Sequence, residues 1–201
     1  MDDLNVSGEP SINNIVELLK DINSTNSKVY HHGMLLDYKF AFQEPATKKI
    51  ITDLETKVGS LLPNDYKQFL MVSNGMILHP EARICSAHEI LEFHTAFDYP
   101  KNMIVVATCL GSFLHIATNL NEKKEKCMYV IEPIGDEFFY SINCSFTEFL
   151  NRFIVSYGSD YWNWGCNSNR TINKIDWDSI SREPITETFQ VSVITVNDQN
   201  D

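Results

Sequence analysis

The residues of this 201-residue chain with the widest chemical reach are six histidines and five cysteines. The cysteines stand at 85, 109, 127, 144 and 166, and no two form a CxxC pair. An odd, dispersed set of this kind reads as reduced thiols rather than a disulfide framework. Zinc needs about four nitrogen or sulfur ligands converging tetrahedrally. The spacing nearest to a ligand set is Cys85-x2-His88-x5-His94, and it has no fourth partner nearby in sequence. His31 and His32 are adjacent, so in a strand they point to opposite faces. The histidines therefore read as surface or loop residues, and neither a metal nor a cofactor is expected. A nucleophilic thiol needs an electropositive, partly open setting. Cys109, Cys127 and Cys144 sit in or beside apolar runs and read as small core residues. There is no G-x-S-x-G, glycine-rich phosphate loop, H-E-x-x-H or EF-hand loop, and the carboxylates show no paired glycosidase pattern. No catalytic residue is expected.

Charge bounds the partners. Asp and Glu number 27 against 16 Lys and Arg, a net charge of −11. That excludes a general nucleic-acid binder, which needs a basic face, and suits a basic partner. About six of the excess negative charges lie in residues 1–10 and 166–201, so the central region is only mildly acidic. The acidic start, MDDLNVSGEP, lacks the basic and apolar run of a secretory signal. The most apolar stretch, Met103 to Ala117, is too short to span a bilayer. With the thiols, these features imply a cytoplasmic protein with no membrane anchor.

Aromatic residues offer a different chemistry. Tyr157, Tyr161, Trp162 and Trp164 form a group of the type enriched at binding hot spots. The same group could instead seal the core, with Trp164 the more exposed tryptophan.

The elements that would position these residues follow from periodicity. Residues 1–10 read as a tail. Ser11 caps a helix with apolar positions Ile12, Ile15, Val16, Leu18, Leu19 and Ile22. Tyr38, Phe40 and Phe42 alternate, suggesting a strand within Val29 to Phe42. Pro45 is placed to open a second helix, with Ile50, Ile51, Leu54 and Val58 as its stripe and Gly59 as its left-handed stop. Pro63 opens a third, with Tyr66, Phe69, Leu70 and Ser73 at i, i+3, i+4 and i+7 before Asn74-Gly75. Short apolar runs then recur: Met76 to Leu78, Ile84 to Cys85, Met103 to Thr108, Phe113 to Ala117, Cys127 to Ile131 and Phe138 to Ile142. With Leu110-Gly111-Ser112 as a tight turn, they read as an antiparallel meander. Ser145 and Glu148 form a capping box for a last helix ending at Gly158. Beyond Cys166 the chain is polar. Ile172, Ile175, Trp177 and Ile180 are isolated anchors there, and Val191 to Val196 is a possible added strand.

The stretch Leu62-Pro63-x-x-Tyr66-x-x-Phe69-Leu70-x3-Asn74-Gly75 resembles the signature of the SUKH superfamily, the fungal cell-wall-synthesis regulators of the Smi/Knr type and their bacterial relatives. Ile104 to Ala107, the turn at Gly111, the strand from Phe113 and Ser145-Phe146-x-x-Phe149-Leu150 also look like the family. The resemblance covers about residues 44–158, within a single domain of residues 11–165 followed by a polar extension over 166–201. The turn departs from the Asp/Asn-Gly pattern of many relatives. The fold implied is α+β, a bent, mostly antiparallel sheet packed against helices. In that reading Leu62, Pro63, Tyr66, Phe69, Leu70, Asn74 and Gly75 are structural.

The resemblance implies a bacterial immunity protein that binds and blocks the toxin domain of a polymorphic or contact-dependent toxin. Such a task needs a complementary surface and no catalytic residue. The alternative is a regulatory or scaffolding module linked to cell-wall synthesis or signalling. Variable loops are the natural places for a partner-binding face. The candidates are Glu81, Glu89 and Glu92 in the segment Glu81 to Glu92, Asp136 and Glu137 in a turn, and Trp162 and Trp164.

Overall fold

The computed structural model describes residues 11–31, 33–111, 113–122, 126–133, 138–163 and 172–174. Helix α1 (Ile12–Asn23) begins where the Ser11 hydroxyl accepts the Asn14 amide, as the sequence predicts. Its Ile12, Ile15, Val16 and Leu19 are buried, while Leu18, predicted on the same stripe, faces solvent. The predicted strand over Val29 to Phe42 is divided. A hairpin of β1 (Lys28–His31) and β2 (Met34–Asp37) turns at Gly33, which holds φ +81°. Tyr38 and Phe40 then pack inward outside any strand, Tyr38 donating to the Ile154 carbonyl at 3.1 Å. Only β3 (Ala41–Phe42) joins the main sheet. Alternation in the sequence reflected two separate anchors rather than one strand.

Helix α2 (Lys48–Val58) is capped by Thr47, not opened by Pro45. A hydroxyl that accepts the Ile50 amide outcompetes a residue that merely fixes φ. The preceding Ala46 amide donates to the Leu70 carbonyl and holds the segment against α3 (Asn64–Val72). Ile51, Leu54 and Val58 are buried and Ile50 is exposed. Gly59 ends α2 at φ +72°, as predicted. Glu55 spans the linker, accepting from the Leu62 amide and pairing with Lys67 at 3.1 Å.

The main sheet is an eight-stranded antiparallel meander. After β3 come β4 (Met76–His79), β5 (Ala82–Ile84), β6 (Met103–Cys109), β7 (Leu114–Asn119), β8 (Met128–Ile131), β9 (Phe138–Ser141) and β10 (Ile172–Lys174). Register irregularities between Ile77 and His79 and between Val105 and Ala107 bend it locally. One face carries the cross-strand row Met76, Ile84, Ala107, Ile116 and Val130, all buried. The other carries Arg83, Thr108, His115, Ile131 and Phe139. Every residue of β6 is buried, so both faces are covered at the centre. Strand β10 adds part of the C-terminal stretch to the sheet beside β9. The predicted strand at Val191 to Val196, and Ile175, Trp177 and Ile180, lie outside the described residues. No helix among the described residues is long and apolar enough to cross a membrane.

Helix α4 (Ala87–Ala96) occupies a segment that the sequence reading took for a loop. Ser86 and Glu89 form a capping box there, the same device that starts α5 (Phe146–Val155) at Ser145 and Glu148. Phe93 at the end of α4, with Phe97 and Tyr99 beyond it, encloses His115 on β7. The first two rings lie 4.8 Å from the imidazole, and the Tyr99 hydroxyl is 2.8 Å from its Nδ1. The opposite face of the sheet is left to an aromatic seam between α3 and α5. There Tyr66 and Phe146 lie 4.7 Å apart and Phe69 and Phe146 5.8 Å apart.

Polar contacts of α3 hold this arrangement. The buried Asp65 carboxylate accepts from the Tyr66 amide at 3.0 Å. It also accepts from the Thr147 amide at 3.2 Å and the Thr147 hydroxyl at 3.1 Å, across to the first turn of α5. A carboxylate there also favours the positive end of the α5 dipole. The Tyr66 hydroxyl donates to the Cys85 carbonyl at 3.0 Å. Asn74 Oδ1 accepts the first amide of α4, from Ala87, at 2.9 Å. Gly75 holds φ +105°, and a β-carbon on it would lie 3.1 Å from the Ser86 nitrogen, so only glycine fits without a shift.

Two predictions follow from these buried groups. Replacing Asp65 by Ala leaves the Thr147 amide and hydroxyl without this acceptor and should destabilise the fold by about 3 kcal/mol; urea melts showing a loss under about 1 kcal/mol would refute the assignment. Burial lowers the His115 pKa from 6.5 to about 4. The unfolded chain therefore takes up this proton first. Its contribution is full above pH 6.5 and falls as pH drops toward 4, by at most about 3 kcal/mol. Melts across that window should show a shallower slope for His115→Gln than for the wild type; equal slopes would show that this histidine is not the titrating group.

Candidate functional site

The meander sorts its connections by end. The β4–β5 and β6–β7 turns emerge together, and β8 finishes at that same end. The two complete turns touch, the Gly111 amide donating to the Glu81 carbonyl at 3.1 Å. Glu81 is the one predicted partner-binding carboxylate that the described structure places there, and it is exposed. Glu132, just past β8, is a second exposed carboxylate on the other side of the β6–β7 turn. Asp136, Glu137 and Trp164 lie outside the described residues.

Beneath Glu81 lies a rigid polar platform. Its amide donates to His79 Nδ1 at 3.3 Å, and His79 Nε2 contacts the Tyr157 carbonyl at 3.0 Å. An amide can only donate and a carbonyl can only accept, so these two contacts require the neutral Nε2–H tautomer. The His31 ring sits 4.8 Å from His79 and edge-on to Tyr157 at 5.5 Å. His31 is thus buried between elements rather than on a loop surface, correcting the sequence reading, while His32 lies outside the described residues. This contact joins the β1–β2 hairpin to the end of β4. Tyr157 and Gly158 after α5 both hold positive φ, and a β-carbon on Gly158 would collide with the Ala82 side chain.

The β6–β7 turn is strained and apolar. Leu110 holds φ +51° and Gly111 φ +65°. Leucine is rarely found in that region. Phe113, whose amide donates back to the Leu110 carbonyl, is 63% exposed at the tip. On the neighbouring hairpin Met34, Tyr30 and Leu35 are also exposed, the last two as a cross-strand pair beside the Lys28–Asp37 ion pair. The sequence reading missed these residues. A large apolar residue inside a turn was the available signal at Phe113, but it was read as the first residue of a strand.

The other predicted site residues have different places. Glu89 belongs to the α4 capping box and pairs with Arg83 at 3.2 Å, so it serves the helix start. Glu92 is exposed on α4, 3.5 Å from His88. Neither lies in a variable loop. Trp162 is buried, packed edge-on to Tyr161 at 5.1 Å, as the core-sealing reading of this aromatic group expects and not as a partner-binding face would have it. The motif residues Leu62, Tyr66, Phe69 and Leu70 are buried in the core. The four described cysteines are buried, and burial raises each thiol pKa, Cys109 and Cys144 to about 12. Such thiols are protonated at neutral pH and are poor nucleophiles. Among the described residues no group of three or more His, Cys, Asp or Glu side chains is placed to hold a metal ion. A cleft of about 280 Å³ opens at the opposite end of the sheet, between Leu61–Asn64 and Asn119–Leu120.

An antiparallel meander entered through paired helices and closed by a capped helix defines a SUKH-like α+β domain. The family model described as SMI1 / KNR4 family (SUKH-1) matches residues 45–152, and the chain belongs to this family. An uncharacterized Bacillus subtilis (strain 168) protein, YnaB, is 29% identical over 127 residues, 63% of this chain and 88% of that relative. The β1–β2 hairpin and the segment after α5 lie outside the matched core.

The strained turn yields its own prediction. A β-carbon on Gly111 would meet only the Phe113 ring, at an ordinary 3.9 Å, so Gly111→Ala should destabilise through backbone strain alone, by about 1 kcal/mol. Leu110→Gly should be near neutral, because relief of strain offsets lost packing. Thermal melts that rank the two variants the other way would contradict this account of the turn.

Proposed function

We propose that the protein is a cytosolic bacterial immunity protein, which neutralises a cognate polymorphic or contact-dependent toxin by stoichiometric binding. The observation that carries this reading is the SUKH-1 match over residues 45–152, taken with the resemblance of its motif to immunity proteins of that superfamily. The net charge of −11 supports it, because many toxins of this class are nucleases with basic clefts. An acidic inhibitor associates quickly with such a target and covers the cleft without chemistry of its own. The buried, protonated thiols fit a role that uses shape and charge.

Co-expression with the toxin domain encoded beside the gene tests the proposal. Growth should be restored, and the two proteins should co-purify in a one-to-one complex whose association slows as salt rises. No protection and no complex would overturn the immunity reading and move the regulatory-module reading ahead.

A further inference from the structure

We infer that the turn end of the sheet, with Phe113 at its tip, is the docking surface for a cationic protein face with an apolar recess. The inference rests on the immunity reading only in taking the partner to be a protein. Two features meet here. Phe113 stands out from the β6–β7 turn and is exposed. Exposed carboxylates, Glu81 and Glu132, flank the tip on either side. An apolar centre with a polar rim is the anatomy of an interface hot spot.

The support beneath is preorganised. The Glu81 main chain is held by His79 below and by Gly111 beside it, and His79 is held by the Tyr157 carbonyl. A fixed surface loses little conformational freedom on binding. Leu110 at φ +51° is a departure from backbone preference in a turn that leaves one apolar side chain, Phe113, at the tip, where an Asn-Gly turn would be polar. Charge selects the occupant. A second copy would set its own exposed Glu81 and Glu132 against this acidic rim. A face with Lys or Arg around an apolar recess complements both rim and centre.

Panning a displayed random-peptide library on the full-length protein tests this. The counter-target is the Phe113→Ser, Glu81→Lys, Glu132→Lys variant, or Phe113→Ser alone should the triple variant fail to melt cooperatively. Enriched peptides should carry Lys or Arg around an aromatic or aliphatic residue. They should bind more weakly as salt rises and lose at least about tenfold in affinity on Phe113→Ser. No enrichment, acidic peptides, or equal binding to the variant would overturn the proposal. The two readings separate cleanly. Basic peptides captured in a Phe113-dependent way without toxin protection keep this surface and remove the immunity role. A neutralised toxin indifferent to Phe113→Ser keeps that role and removes this surface.

Discussion

A polar group carried into the core must be answered there, and the inward face of α3 carries two, Asp65 and Tyr66. Its Asp65 carboxylate is answered by α5, its Tyr66 hydroxyl by the strand-to-helix corner at Cys85, and Asn74 at its end by the first amide of α4. These bonds tie α3 and the segment just after it to α5, to the β5–α4 corner and to the start of α4. An unanswered buried carboxylate would be far more damaging than a lost apolar contact, because its desolvation would go uncompensated. Sheet order follows from this. Once α3 is pinned to Cys85 and α5 to Asp65, β4 and β5 must pair next to α3, and the chain from β6 to β9 has one face left to the aromatic seam.

That constraint separates stability from recognition. The residues that carry the family resemblance are consumed by packing: Tyr66, Phe69 and Leu70 are fully enclosed and Gly75 is pressed against Ser86. None can vary without disturbing the core, so none is suited to discriminate between partners. The turn end obeys the opposite rule. Its strands are anchored within the sheet, but Glu81, Phe113 and Glu132 face solvent. They can change with little effect on the seam. The hairpin outside the family match reaches this same end through His31. Variation is available where the scaffold is already rigid.

Much of this was legible in the sequence, for physical reasons that differ from element to element. The helix faces of α1, α2, α3 and α5 follow from apolar spacing, and Gly59, Gly75 and Gly158 mark stops that demand positive φ. The meander follows from short apolar runs punctuated by turns. Helix α4 was overlooked although Ser86-x-x-Glu89 repeats the Ser145-x-x-Glu148 signature, because Cys85, His88 and His94 drew attention to ligand spacing instead. Pro45 misled because a side-chain cap at Thr47 was a better start two residues on. The candidate surface was legible at Glu81 and missed at Phe113. Trp162 was offered for it and is buried. Aromatic type alone does not separate a hot spot from a core plug; that depends on which side of the sheet end the chain passes, which is set by long-range packing.

The turn at Leu110 is one place where local and global preferences disagree, Tyr157 at φ +51° being another, and the disagreement is informative. Most other positions agree with the fold: serines and a threonine start four of the five described helices, and glycine takes five of the eight positive-φ positions among the described residues. A sequence that places leucine at φ +51° gives up the Asn or Asp that would hold this conformation with a side-chain hydrogen bond. Packing recovers part of that loss, since Leu110 rests against the core while Phe113 faces water. Most of Phe113 stays in water in the free protein. Its placement makes physical sense when a second apolar surface covers it, as expected where a chain departs from local consistency for the sake of a binding site.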